Sequence, residues 1–546
     1  MKKKSLTIGI DDFRRVREDD RYYVDKSLMI RDFMEQDDQV TLITRPRRFG
    51  KTLNMMMIRE FFDITKDSRA IFEGLAIMDT EYAAQINTRP VVFLTMKDCD
   101  ADTAESLCRM LAENIFKEYL RYTTLFENKV DPQNLYYVKI YMLLNKMLKE
   151  TVTLDDLVYS MYYLMMAVTT FYGKKPLLLI DEYDAPILSA YEHGYRKKMG
   201  SFFSTFYGVT FKGNEYLDCA LLTGIQRIAK ESIFSRLNNL RVYTVLNERY
   251  SEYFGLTGEE TEQLLTDYDL ELNDEVKRQY NGYLFGGTEI YNPWSVLNYA
   301  ESGSLQPYWI NTSTNALIRE SIAGADAFFR KSYERLLKFG ESSVYINLET
   351  AFAELKDEHT LWGLLVNAGY LTVTESDAIR SEVTVKIPNG EVRSEFIRIV
   401  SHLGHMGDSS LTKMFECLFA RKMDEFLELY QHMVLESASY YDAKENAYHM
   451  LFLGMCLSLT GLYKVTSNLE NGDGRSDIKL ESLTAGRVHM IIEFKQGEDI
   501  AKLKKEALQQ ILDNQYYAGL QGEVLCLGVA HNKKKCEIAY CSVQRK

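Results

Sequence analysis

The sequence predicts an α/β protein. A parallel sheet covered by helices on both faces is followed by a helical, winged-helix-like middle region and then by a second, smaller α/β domain. Three observations carry this expectation. Apolar or β-branched runs at Val40–Thr44 (VTLIT), Pro90–Met96 (PVVFLTM), Leu177–Ile180 (LLLI) and Leu217–Leu222 alternate with helical periodicity, and strands separated by helices form parallel βα units. Toward the other end the patterns recur in the order α-β-β-β-α-β. The 546 residues, 46% of them hydrophobic, also suffice for about three or four domains with cores of their own. The expected boundaries are 1–306, 307–400 and 401–546.

Composition narrows the setting. Eight cysteines are scattered without a C-x-x-C pair, which argues against a disulfide framework or a Cys-rich zinc module and fits a reducing cytoplasm. No apolar run reaches the roughly 20 residues needed to span a bilayer. The longest, Met450–Leu462, contains Ser458 and Thr460, and the basic start Lys2–Lys4 meets Asp11 and Asp12 before any apolar stretch. A cytoplasmic protein without a membrane partner is expected. The net charge of −13 argues against a general nucleic-acid coat, yet residues 401–546 hold 17 Lys+Arg against 19 Asp+Glu, a net of only −2. Basic clusters lie there at Lys502/Lys504/Lys505 and Lys533/Lys534/Lys535. Charge alone reads them as a solvated helix face and a hairpin turn.

Taken in order, the first strand runs into Arg45-Pro-Arg-Arg-Phe-Gly-Lys-Thr52 and then a helix over Leu53–Phe62. Strand, tight loop and Gly-Lys-Thr opening a helix make a P-loop: backbone N–H groups and the helix N-terminus cradle phosphates, Lys51 reaches the β/γ oxygens and Thr52 ligates Mg²⁺. Arg45 stands where the usual first glycine would be. Leu177–Ile180 ends in Asp181-Glu182, two carboxylates at the strand edge where α/β sheets bind ligands. Asp181 is expected to orient the Mg²⁺ shell and Glu182 to polarise the attacking water. Arg48, Phe49, Gly50, Lys51, Thr52, Leu53, Asp181, Thr223 and Arg227 form the expected set for ATP, and the fold expected of residues 1–306 is a P-loop NTPase. Thr223 would sense the γ-phosphate. Arg227, Lys230 and Arg236 are candidates for a charge-neutralising finger, although each reads first as an ordinary surface cation; a finger supplied across an interface would imply a homo-oligomer. Asp25 and Lys26 precede the P-loop strand as candidate base contacts. Gly282-Tyr-Leu-Phe-Gly-Gly287 reads as a turn before Asn292-Pro-Trp294, not as a nucleotide loop.

The middle region reads as helices at Asn315–Ala323, Ala325–Phe339, Ala351–Leu355 and Thr360–Ala368, then a hairpin of Tyr370–Thr374 and Glu382–Ile387. Beyond it, a helix over Lys444–Leu459 carries Glu445 and His449, followed by strands at Tyr463–Thr466, Ser476–Leu480 and Val488–Lys495, a helix at Leu503–Tyr517 and a strand at Glu523–Val529. Asp477 and Glu493 fall on adjacent strands, and Glu493 and Lys495, two apart, share a face. Two such carboxylates suit one or two Mg²⁺ ions for phosphodiester cleavage, with Glu445 as a further ligand and Lys495 orienting the nucleophile or neutralising charge. Asp-x₁₅-Glu-x-Lys is a weak pattern alone; the apolar Met490-Ile-Ile492 before it and the element order strengthen it. His402-x-x-His405 has metal-ligand spacing but no third ligand nearby, and the Tyr and Met stripes between 136 and 166 read as packing.

Tyr23-Val-Asp-Lys26, the Arg45–Thr52 string, Asp181-Glu-Tyr-Asp184, Thr223-Gly224, Ser232-Ile-Phe-Ser235, Leu237-Asn-Asn239 and Tyr291-Asn-Pro-Trp-Ser295 resemble the bacterial AAA-ATPase-like family. Its members usually carry a C-terminal domain of the PD-(D/E)XK nuclease superfamily. The resemblance covers essentially the whole chain and makes Arg45 an in-pattern residue. It implies ATP binding and hydrolysis with Mg²⁺, and a nuclease-like domain in which Gln510 and Tyr516 resemble auxiliary residues. The expected function is an ATPase coupled to a metal-dependent nuclease acting on DNA or RNA. The alternatives are an ATPase switch whose second domain only binds nucleic acid or a protein partner, and a protein-interaction ATPase with no nucleic-acid role.

Overall fold

In the computed structural model the described residues are 3–123, 135–228, 233–234, 237–309, 340–348, 357–377, 382–393, 408–436, 462–471, 474–484, 486–532 and 535–545, with single positions at 329, 332, 333, 335, 336, 396, 448, 452, 455, 456 and 459. The chain divides into two compact units: Met1–Ile318 with Ser343–Gly390, and Arg319–Ser342 with Glu391–Lys546.

The first unit is built on a five-stranded sheet of β1 (Val40–Thr44), β2 (Val91–Thr95), β3 (Leu177–Asp181), β4 (Ala220–Gly224) and β5 (Leu240–Tyr243), in the order β2-β3-β4-β1-β5. All neighbours run parallel. Strands β1, β3 and β4 are buried at every position, which is why they read as unbroken apolar runs rather than alternating ones. Their registers end nearly level, Thr44 opposite Gly224 and Thr95 opposite Asp181. The loops after β1, β3 and β4 therefore leave at the same edge of the sheet.

Differences from the sequence expectation are local. β4 begins and ends later than Leu217–Leu222, so Thr223 and Gly224 belong to the strand. Residues 154–171, whose apolar positions repeat with one continuous helical period, form two helices, Leu154–Leu157 and Ser160–Tyr172. The Ser160 hydroxyl donates to the Leu157 carbonyl at 2.7 Å, a local side-chain bond that competes with the helical ladder. Gly282–Gly287 contributes β6 (Tyr283–Phe285), which pairs with β7 (Thr288–Ile290) around Gly286-Gly287. Further on, β8 (Glu341–Tyr345), β9 (Thr372–Asp377) and β10 (Glu382–Lys386) form a sheet of order β8-β10-β9, preceded at β9 by the helix Glu358–Ala368. The helices expected at Asn315–Ala323 and Ala351–Leu355, and most of Ala325–Phe339, lie outside the described residues.

The second unit holds β11 (Tyr463–Asn471), β12 (Gly474–Ser482), β13 (His489–Gln496), β14 (Gly522–Asn532) and β15 (Lys535–Arg545), neighbours in chain order. Only β13 and β14 are parallel, joined by the crossover helix Ile500–Asp513. Strand β15 was not expected; its alternating half-exposed pattern gives no apolar run. Ile478, Leu480, Met490, Ile492, Leu525 and Leu527 pack with Phe415, Phe426 and Tyr430 of the helices Asp408–Phe419 and Met423–Glu436. The alternate positions Ile491, Val524 and Cys526 pack with Ile511 and Tyr516 on the crossover-helix side. Side-chain alternation puts Asp477 and Glu493 on that second face.

Candidate active sites

Gly50 is left-handed (φ +85°) and caps the helix Lys51–Phe62, a conformation glycine adopts without steric cost. Arg48 is also left-handed, at φ +67°. The loop is anchored from behind by side chains. Phe49 is fully buried and meets Tyr283 edge-on at 5.0 Å and Phe285 at 5.2 Å. The Arg48 guanidinium lies 4.2 Å above Trp294 and donates to the Tyr308 carbonyl at 3.0 Å. Arg45 is fully buried and donates to the carbonyls of Thr44 (2.8 Å), Tyr243 (3.2 Å) and Tyr250 (3.2 Å), between the rings of Phe254 and Phe285. Desolvation pulls its pKa down to about 9. Arg45 thus ties the start of the loop to β5 and to the segment after it, an architectural role that its residue type alone did not reveal.

Lys51 is buried and donates to the carbonyls of Arg45 (3.0 Å) and Pro46 (2.8 Å). Burial lowers its pKa, against the opposing pull of Glu182, Asp181 and Asp184. Asp181 is wholly buried and accepts the Thr52 hydroxyl on Oδ2 (2.8 Å) and the Thr223 hydroxyl on Oδ1 (2.5 Å). The structure therefore brings together the residues expected from three separate strands. Glu182 follows in a left-handed conformation, φ +52°. Burial raises its carboxyl above the usual range, Lys51 lowers it, and Asp181 and Asp184 raise it further.

Asp184 had no assigned role in the sequence reading. It is buried and accepts from the amides of Ile225 (2.9 Å) and Gln226 (2.7 Å), while the Tyr183 hydroxyl donates to the Gln226 carbonyl at 2.6 Å. A Cβ on Gly224 would lie 2.6 Å from Asp184 Oδ1 and from the Tyr183 ring, so Thr-Gly at 223–224 is a close-packing requirement. Arg227 is half-buried just beyond; Lys230 and Arg236 lie outside the described residues.

A cavity of about 650 Å³ joins Gly50, Lys51, Thr52, Leu53, Glu182 and Lys97 with an apolar wall that includes Ile8, Val24, Leu256 and Trp294. That size and mixed lining suit a nucleotide. The left-handed glycine, the helix N-terminus, the lysine and the Thr52–Asp181 oxygen pair fit phosphates with a hard divalent cation. Of the candidate base contacts, Lys26 lines this cavity while ion-paired with Glu260 at 2.6 Å, and Asp25 accepts from the amides of Ser27 (2.8 Å) and Ala76 (2.7 Å).

In the second unit the β12–β13 ladder runs to Ile478 opposite Ile492. Immediately beyond, side chains replace backbone pairing. The Asp477 amide donates to Glu493 Oε2 at 3.2 Å, and the Phe494 amide donates to Asp477 Oδ2 at 2.7 Å. Gln510 donates to Glu493 Oε1 and, at 3.1 Å, to the Tyr516 hydroxyl, which also accepts from Asn514 at 2.9 Å. The crossover helix approaches so closely that a Cβ on Gly528, the partner of Glu493 on β14, would lie 2.5 Å from the Leu508 nitrogen and the Lys504 carbonyl oxygen. Sequence reasoning missed this glycine, whose only signal is its place inside an apolar strand.

Burial raises the Asp477 carboxyl, countered by the Phe494 amide and by Lys495, which is half-buried on the same β13 face as Glu493. Two adjacent hard carboxylates, one held above its usual pKa by burial, fit a divalent cation. Glu445, His402 and His405 lie outside the described residues, and no cluster of three or more potential ligands occurs among the described ones. Of the basic cluster at the helix start, Lys502 pairs with Glu506 at 3.2 Å and Lys504 with Glu537 at 2.7 Å.

Residues 7–234 match the AAA-ATPase-like family (Predicted AAA-ATPase), and residues 443–540 match the PD-(D/E)XK nuclease superfamily. The chain carries an AAA-ATPase-like domain and a PD-(D/E)XK-superfamily domain. A curated relative, "Uncharacterized protein in vnfD 5'region" of Azotobacter chroococcum mcd 1, is 27% identical over 403 residues, covering 72% of this chain and 69% of the relative. The P-loop, Asp181, Glu182 and Thr223 all fall within the AAA-ATPase-like match, and Asp477, Glu493, Lys495 and Gln510 within the PD-(D/E)XK match. Among the described residues no helix is long and apolar enough to cross a membrane.

Proposed function

We propose that this chain binds and hydrolyses ATP with Mg²⁺ at the AAA-ATPase-like site and cleaves a nucleic acid with a divalent metal at the PD-(D/E)XK site. The observation that carries the reading is the convergence of Thr52 and Thr223 on Asp181, beside Lys51 and Glu182. Lys51, exchanging the loop carbonyls for phosphate oxygens, neutralises charge that grows during transfer. Asp181 and Thr52 hold the cation shell, and Asp181 fixes the Thr223 hydroxyl toward the same place. Glu182, its carboxyl raised by burial, is suited to take a proton from the attacking water. A bound Mg²⁺ supplies Lewis acidity at the phosphates.

At the second site Asp477 and Glu493 bind the metal, Gln510 fixes the Glu493 carboxylate, and Lys495 orients water or neutralises the phosphate. Fully purified chain, assayed for Mg²⁺-dependent ATP hydrolysis and for Mg²⁺- or Mn²⁺-dependent nicking of plasmid DNA and cleavage of RNA, tests both halves. Hydrolysis that persists in Lys51→Ala overturns the first. Absence of cleavage of every DNA and RNA form, with and without ATP, overturns the second and leaves a binding-only domain.

A further inference from the structure

The helix Glu358–Ala368 lies far downstream of the P-loop in sequence, yet it touches both halves of the ATP site. Asn367, in its last turn, is buried and donates to the Gln226 side-chain oxygen at 3.1 Å and to the Leu348 carbonyl at 3.1 Å. Gln226 is itself buried and is the residue whose amide Asp184 accepts at 2.7 Å. The Tyr183 hydroxyl holds the carbonyl of the same residue. Gln226 is thus clasped on its backbone by the turn that carries Glu182 and on its side chain by Asn367.

The end of that helix bears on the P-loop. Gly369, left-handed at φ +85°, caps it, and a Cβ there would lie 2.8 Å from the Pro46 ring. Trp309, whose ring borders the same glycine, donates to the Arg47 carbonyl at 3.1 Å. Pro46 is the residue whose carbonyl Lys51 holds at 2.8 Å. The contacts form a chain: Lys51 to Pro46, Pro46 to Gly369, along the helix end to Asn367, Asn367 to Gln226, and Gln226 to Asp184, two residues past Glu182.

We propose that Asn367 is a positioning residue for ATP turnover, setting the Glu182 turn through Gln226 and Asp184 while Gly369 registers the state of the P-loop at Pro46. When a phosphate draws Lys51 off the Pro46 carbonyl, the constraint on Pro46 changes, and the close Gly369 contact passes that change into the helix. Packed contacts of this kind transmit a shift instead of absorbing it. Asn367 is not among the residues that line the cavity, so its influence belongs to kcat and not to nucleotide affinity. The inference rests on the ATPase reading proposed above.

The test uses the full chain, with steady-state hydrolysis read beside binding of a fluorescent ATP analogue. Asn367→Leu keeps the branched outline, with methyl groups in place of the amide, and removes both donated hydrogen bonds; kcat is expected to fall about 10- to 100-fold while the dissociation constant changes less than about threefold. Gln226→Met should do the same, and the double variant should be no slower than either single one. Gln226→Glu keeps the acceptor for Asn367 and should retain most of kcat. If Asn367→Leu does not fold, as judged by circular dichroism, Gln226→Met against Gln226→Glu carries the test. An unchanged kcat, a parallel loss of kcat and affinity, or multiplicative losses in the double variant overturns the proposal. Wild type that binds and hydrolyses ATP, with Lys51→Ala that does not, shows that the ATPase reading stands whichever way Asn367 falls; inert wild type sinks that reading itself.

Discussion

Thr223 donates its hydroxyl to Asp181 at 2.5 Å across the β3–β4 boundary. Both side chains are buried, so the bond has no competing water and fixes the rotamer of each partner. Thr223→Val keeps the shape and deletes the donor. ATP turnover is expected to drop about tenfold or more with nucleotide affinity nearly unchanged, and Thr223→Ser to recover most of it. Measuring kcat and dissociation constants for the three proteins checks this.

Lys51→Ala removes the cation proposed to meet the phosphates and should weaken ATP binding at least about tenfold. Glu182→Gln should leave binding intact and lower turnover by about two to three orders of magnitude. The pH dependence follows in sign. As the proposed base Glu182 acts ionised, and its carboxyl lies above the usual range, so activity should rise with pH along a limb displaced upward from that of an ordinary glutamate. A limb that persists unchanged in the residual activity of Glu182→Gln counts against the assignment.

Asp477→Asn or Glu493→Gln should abolish metal-dependent cleavage and weaken metal binding, while chelation of the metal should do the same to wild type. Lys495→Ala should keep the metal and slow the reaction. ATP hydrolysis should survive all three, because their residues belong to the other compact unit. Loss of ATPase activity in a folded Glu493→Gln protein would contradict the two-site reading.

Arg45→Gly would create the common P-loop spacing and would still harm the protein. It deletes a buried guanidinium that serves the carbonyls of Thr44, Tyr243 and Tyr250, at a cost of roughly 2–4 kcal/mol. The checks are a lowered melting temperature and no gain in ATP affinity.

His531 is fully buried, stacked on Tyr448 at 3.9 Å and hydrogen-bonded to the Tyr430 hydroxyl at 2.9 Å. Burial pushes its pKa down to about 3 from an ordinary 6.5. The unfolded chain therefore takes up a proton that the folded one refuses. The imidazole's contribution to stability is whole above pH 6.5 and declines as pH falls toward 3, by about 1.4 kcal/mol per pH unit. Denaturant titrations across that window should show one proton's less slope in His531→Phe.

How much of this was legible in the sequence depended on burial. β1 and β3 are buried throughout and stand out as apolar runs that lead into the proposed ATP-site residues. β5, four residues of mixed exposure, and β15, alternating and half-exposed, carry no such mark. Asp477 and Glu493 were recoverable from strand order because alternation fixes which face a residue takes. The tasks of Arg45, Asp184, Gly224 and Gly528 were not, since each answers to a neighbour distant in sequence: carbonyls of Tyr243 and Tyr250, amides at 225 and 226, a tyrosine ring, a helix backbone. Lys26 is placed at the cavity as its position before the P-loop strand suggested, but its ion pair with Glu260 carried no sequence signal.

Glu182 holds a left-handed backbone at φ +52°, a conformation costing a non-glycine residue roughly 1–2 kcal/mol, and it carries a carboxyl that burial disfavours in its charged form. Glutamate is therefore an uncomfortable occupant there on two counts, and glycine would relieve both. A survey of variants ranked by heat resistance or expression would place Glu182→Gly among the improvements, although that protein lacks the proposed base. At this position robustness and chemistry point in opposite directions, and a screen scored on the first would select against the second.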